Sequence, residues 1–130
     1  PAGKDLEKLA LKTTSQVTVP SVHRDGKVSF SGPLTALLRQ MDAASPPEIA
    51  RGCFTAISRS LIKWIRWAGD RTSCQDLLVV GGVAANSIIR EDLQKKLPHW
   101  RLFFADPSFS TDNAYGSAFY AGLAHGRFHL

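Results

Sequence analysis

The sequence lacks any apolar stretch long enough to cross a bilayer; runs such as 77–80 span four residues. Nothing at its start has the basic-then-apolar form of a secretion leader, so no membrane role is expected. It has only two cysteines, Cys53 and Cys74. They show no metal-type spacing and make no disulfide framework, so a reducing, cytoplasmic setting is expected. Of the four histidines, His23, His99, His125 and His129, only the last two stand at H-x-x-x-H spacing, as "HGRFH" at the very end of the sequence. No nucleophile–base pair and no zincin motif is visible, which leaves peptidase chemistry without its residues. Repeats, low-complexity segments and linkers are missing too. So is an initiator methionine: the chain opens on "PAGKDLEKLA" and reads as part of something longer.

What is present fits one modest domain. Its 130 residues are 44% hydrophobic and 21% charged, enough for a real core. The net charge is +5, with the basic residues scattered and Lys95, Lys96 and Arg101 the densest group. That balance is compatible with an anionic partner such as nucleic acid or nucleotide, and equally with solvated surface.

Apolar spacing over 4–12 (Leu6, Leu9, Ala10) predicts a short helix. Two β-type runs flank Asp25-Gly26, a hairpin signal. "SGPLTALLRQM" is expected to start a helix, with Pro33 at a favoured first-turn position and Leu34, Leu37, Leu38 and Met41 inward. Ser45-Pro46-Pro47-Glu48 is a capping box. It opens a long helix with Ile49, Cys53, Ile57, Leu61, Trp64 and Ala68 on its apolar stripe and Gly69 as the stop. Trp64 and Trp67 are read as packing residues. A buried strand at 76–80, a helix at 84–97, a strand at 101–105 and a final helix at 112–125 follow. Such alternation predicts α/β layering, a mixed sheet with helices on its faces.

Two clusters carry the chemistry. In "LLVVGGVAANSIIREDLQ" the chain leaves a strand through Gly81-Gly82 and places Asn86 just inside the next helix. Glycines let a backbone approach a ligand that any Cβ would push away. A helix N-terminus offers N–H groups to phosphate, and an asparagine offers both donor and acceptors to a nucleoside. A tight strand–helix connection with a capping amide explains the same residues. In "DPSFSTDNAYGSAFYAG", Thr111 or Ser110 would cap the last helix and Asp112 and Asn113 would favour its dipole. Alternatively, Asp112 is a hard oxygen ligand for a metal, needing further ligands from elsewhere.

Together these clusters resemble the TsaD/Gcp/YgjD family, long labelled glycoproteases or O-sialoglycoprotein endopeptidases. "VVGGVAANSIIRED" and "STDNAYGSAFYAGL" match its GGVAAN and T-D-N-A segments. "PAGKDLEKLA" is similar to its P-G-G-P-x-x-E-K-L-A turn, and "KVSFSG" to its D-F-S-F-S-G. The resemblance implies an actin/Hsp70-like (ASKHA) ATPase lobe, here partial: residues 1–130 would be the C-terminal lobe, without the N-terminal one. It implies transfer of a threonylcarbamoyl group from threonylcarbamoyl-adenylate to adenosine 37 of tRNA. It implies iron or zinc as metal, adenine nucleotide as ligand, and TsaB-like and TsaE-like protein partners. By position it places nucleotide contacts on Gly3, Glu7, Gly81, Gly82 and Asn86, and a metal ligand on Asp112.

Departures from the family pattern are Lys4, Pro33-Leu34 where Leu-Lys is common, Ser110 for cysteine, and Tyr115-Gly116. Because the paired metal histidines belong to the other lobe, the chain alone is expected to be inactive. A non-catalytic, nucleotide-binding scaffold paralogue is the alternative. Strands left unpartnered would expose an apolar patch or edge, making a homodimer possible.

Overall fold

A computed structural model describes residues 2–106, 108, 120–122 and 124–126. Eight elements follow in order: α1 (Ala2–Ala10), β1 (Val22–Arg24), β2 (Lys27–Ser29), α2 (Ser31–Leu38), α3 (Pro46–Thr72), β3 (Asp76–Val79), α4 (Ser87–Lys96) and β4 (Arg101–Phe104). The predicted final helix at 112–125 falls largely outside the described residues.

Helix α3 is the spine. Glu48 Oε2 accepts from the Ser45 N–H at 3.0 Å and lies 2.6 Å from Ser45 Oγ, which fixes the helix start as the capping box requires. The predicted stop at Gly69 is not used. The helix runs three residues further, to Thr72, and ends on Ser73 in the left-handed region (φ 53°). Gly69 instead makes room for Trp100: a Cβ there would lie 2.5 Å from the indole Cζ2.

The face of α3 that is fully buried differs from the predicted stripe. Ala50, Phe54, Ser58, Ile62 and Ile65 face α1 and α4, while Cys53, Ile57 and Leu61 are half-buried and Trp64 is exposed. The helix is apolar on two sides, and periodicity alone does not say which side finds a neighbour. Ser58 on this face, and Ser60 on the opposite side with Gly52 and Ala56, are both buried and bond the carbonyls one turn back, at 3.0 and 2.8 Å. Of the two tryptophans, Trp67 does pack, edge-on to His23 with ring centroids 5.8 Å apart.

Ile88, Ile89, Leu93 and Leu97 from the α4 segment complete the core with Ala10, and Leu77, Val79, Leu102 and Phe104 pack against it. β3 and β4 run parallel, with Asp76 opposite Arg101 and Leu78 opposite Phe103. Arg101 forks onto Asp76, its Nη2 lying 2.5 Å from Oδ2, so an ion pair marks the register. Side chains alternate, and Leu78, Val80 and Phe103 are exposed on the far face. The strand expected to be buried throughout is therefore covered on one side only among the described residues.

β1 and β2 form a separate antiparallel hairpin whose turn has φ > 0 at both Asp25 (48°) and Gly26 (77°), as a two-residue I′ turn needs. Both strand directions occur, in two separate pairs. Helix α2 starts at Ser31 with Pro33 in its first turn, as the sequence suggests. Its supposed inward residues Leu34 and Leu38, and Met41 beyond it, are exposed.

Candidate nucleotide site

The start of α4 meets a carboxylate of α1. Glu7 lies in the second turn of α1, and Ser87 opens α4. Glu7 Oε1 accepts from the Ser87 backbone N–H at 2.7 Å and from Ser87 Oγ at 2.6 Å, joining positions 80 residues apart. Gly3 precedes Glu7 by four residues and so shares its face of α1. It is a helical residue with open space where a Cβ would stand.

The turn between β3 and α4 begins at Gly81, with φ 96°, a conformation that excludes ordinary side chains. Nothing lies within 4 Å of a Cβ built there, so the backbone conformation demands the glycine while the space above it stays open. Gly82 is exposed. Hydrogen bonds from Ala85 N–H to Gly81 O and from Asn86 N–H to Val83 O, both 3.2 Å, close the turn. Asn86 sits one residue before the helix rather than just inside it. Its Oδ1 caps α4 by accepting from Ile89 N–H at 3.1 Å. The residue is 6% exposed, and among the described residues its Nδ2 has no partner.

This arrangement revises one sequence expectation. Two of the first N–H groups of α4 are already taken, one by Glu7 and one by Asn86, and a negative charge already complements the helix dipole. A phosphate at this helix start would face Glu7. The groups left over, the second oxygen of Glu7, Asn86 Nδ2 and the bare backbone at Gly81, suit neutral hydroxyls instead.

Arg90 was not singled out from the sequence, although it stands in the quoted helix four residues after Asn86. Its Nε donates to Ala84 O at 2.7 Å and its Nη2 to Ala105 O at 2.5 Å, while the guanidinium lies 4.9 Å from the Phe104 ring centroid. It thereby braces the glycine turn against the end of β4. Just beyond, Asp106 Oδ1 accepts from Ser108 N–H at 2.8 Å. The Ser108 hydroxyl holds the Asp106 carboxyl below its usual range, with Arg90 adding to the effect. That segment leads to Asp112, which lies outside the described residues, as do Ser110, Thr111, Asn113, Tyr115 and Gly116.

Among the described residues no three His, Cys, Asp or Glu side chains gather in a way that could hold a metal ion. These residues therefore do not make a metal centre by themselves. An apolar groove of ≈ 580 Å³ opens beside the turn, lined by Phe30, Leu34, Leu37, Ile57, Leu61 and Val83. Burial pushes the thiol of Cys53, which also borders it, above its usual value.

The family model of TsaD, tRNA N6-adenosine threonylcarbamoyltransferase, matches residues 1–119. The chain belongs to this family. A tRNA N6-adenosine threonylcarbamoyltransferase of Treponema denticola is 31% identical, over 96% of this chain and 40% of the relative. One from Symbiobacterium thermophilum is also 31% identical, over 88% of this chain and 37% of the relative. A probable bifunctional tRNA threonylcarbamoyladenosine biosynthesis protein of Methanothermobacter thermautotrophicus is 32% identical, over 87% and 22% respectively. The chain thus spans two fifths or less of the length of these curated relatives. The crystal structure of T. kodakarensis HypF superposes with a TM-score of 0.75 at 20% identity, over 95% of this chain and 17% of that one. That likeness shows the fold alone, a partial α/β lobe of the ATPase-like kind. No helix among the described residues is long and apolar enough to cross a membrane.

Proposed function

We propose that the chain is the C-terminal part of a transferase that forms threonylcarbamoyladenosine at position 37 of tRNA. In this reading it holds the nucleoside end of threonylcarbamoyl-adenylate between Glu7 and the turn 81–86. The observation that carries it is the Glu7–Ser87 contact, which brings the first family motif onto the third across 80 residues. Glu7 and Asn86 each have one side-chain group engaged in fixing α4, and offer the other to the ribose hydroxyls. Gly81 lets the ligand come close, and Gly82 and Gly3 keep the approach free of side chains. When the amine of adenosine 37 attacks the carbamoyl carbon, the adenylate must stay fixed as leaving group, and positioning is what this half of the pocket contributes.

Asp112 is assigned to a divalent metal, iron or zinc, in the complete parent protein; the other ligands would come from outside this chain. The metal would supply Lewis-acid stabilisation when bound. Protein partners of the TsaB and TsaE kinds belong to the same proposal for the whole protein. Calorimetry with adenosine monophosphate tests the site: wild type should bind, and Glu7→Ala should bind at least about tenfold more weakly, a loss of about 1.4 kcal/mol. Equal binding would remove Glu7 from the site. In a strain lacking the modification, the complete parent should restore it and its Asp112→Ala variant should not.

The apolar groove favours a second reading, a non-catalytic scaffold that uses it for contact; Leu34, where the family commonly has lysine, is 57% exposed there. A complete parent that binds nucleotide yet restores no modification would decide for the scaffold.

A further inference from the structure

A polar cleft separate from the nucleotide turn runs between α3 and α4. Arg51, Thr55 and Arg59 follow one another at four-residue spacing along α3, and Asp92 and Lys96 do the same along α4. With Gln16 they border a hollow of ≈ 330 Å³. Thr55 Oγ1 lies 2.5 Å from Gln16 Oε1 and 3.0 Å from Arg51 O, so the wall formed by the 13–16 segment is tied to α3.

Charge is left unspent in this cleft. Among the described residues Arg51, Arg59 and Lys96 make no ion pair and no side-chain hydrogen bond, whereas Lys8, Lys95 and Arg101 are each paired with a carboxylate. Three cations face one carboxylate, Asp92. Glu91, next to it, is held by Lys95 at 2.6 Å, which lowers its carboxyl below the usual range, and Arg51 adds a weaker pull. Guanidinium groups match the paired oxygens of a phosphate, and a lysine adds a point charge. Lys96 lies nine residues along α4 from Ser87, about 13 Å at the rise of a helix. The cleft lining shares no residue with the turn 81–86.

We propose that this cleft holds a backbone phosphate of the RNA substrate, anchoring it while a distant nucleotide reacts. The proposal rests on the reading of the protein as a tRNA-modifying transferase. The chain's net charge of +5 favours the same partner.

The test is binding of a fluorescein-labelled, in-vitro-transcribed tRNA, measured by anisotropy over a range of salt. The triple variant R51Q/R59Q/K96Q should bind at least about tenfold more weakly, and its dependence on log salt should flatten by about two to three. A charge-matched triple elsewhere, R24Q/K27Q/R39Q, should stay within about threefold of wild type. Asp92→Asn should bind more tightly, by about twofold to fivefold, a gain that misfolding cannot mimic. Equal losses in the two triples, no loss in the cleft triple, or no gain in Asp92→Asn would each overturn the site. Wild type that binds adenosine monophosphate but no tRNA overturns the cleft alone. Cleft-dependent tRNA binding without any nucleotide binding overturns the nucleotide reading alone.

Discussion

Glu7 does two jobs, one visible in the fold and one assigned to a ligand, and substitution separates them. Glu7→Gln keeps the shape but loses the charge that faces the α4 dipole and the Ser87 N–H. Its unfolding free energy should fall by about 1–2 kcal/mol, read by urea titration. Gly81→Ala meets no atom within 4 Å, so any cost is backbone strain at φ 96°, about 1–2 kcal/mol. A thermal midpoint unchanged from wild type would show that the turn relaxes. At this scale the sequence spoke clearly about glycines and poorly about partners. The positive φ at positions 26 and 81 leaves a glycine in the text, whereas the bond from Ser87 to Glu7 pairs two ordinary polar residues 80 positions apart. No local pattern announces such a pair.

Among the elements, α3 shows what spacing conveys and what it leaves open. Its start was legible because a capping box is local chemistry. Its end was not, because Gly69 is there for Trp100 rather than for termination. Gly69→Ala should cost about 1–3 kcal/mol by forcing the indole aside, detectable as a lower thermal midpoint with altered tryptophan fluorescence. The capping box also predicts a pH dependence. The Ser45 hydroxyl, and then its N–H, lower the Glu48 carboxyl below its ordinary 4.5. A depressed carboxylate stabilises the fold above the unfolded value and ceases to as pH falls through the folded one. Glu48→Gln should therefore lose stability relative to wild type near neutrality, and the gap should close as pH falls through the lowered Glu48 value.

Over the whole molecule, stability is concentrated where α1, α3 and α4 meet. Leu93 is fully buried there. Leu93→Ala should cost about 2–5 kcal/mol, a large share of the total for a domain this size, and circular dichroism should show a partly unfolded population at 37 °C. Helix α2 exposes Leu34 and Leu38, and its amides should exchange with deuterium well before those of α4. The α/β layering was legible because strand and helix alternate. An exposed apolar patch was expected as well, but not which residues would line it: an apolar stripe reads the same whether its neighbour lies within the described chain or beyond it, as Leu34 and Leu78 both show.

The Glu7–Ser87 bond also sets an order of events at the ribosome. Helix α1 is made before α4, and the Ser87 groups that donate to it appear only after 80 more residues, about 4–16 s later at ordinary translation speeds. Through that wait Ala10 has none of its α4 neighbours, and chaperones have time to engage α1.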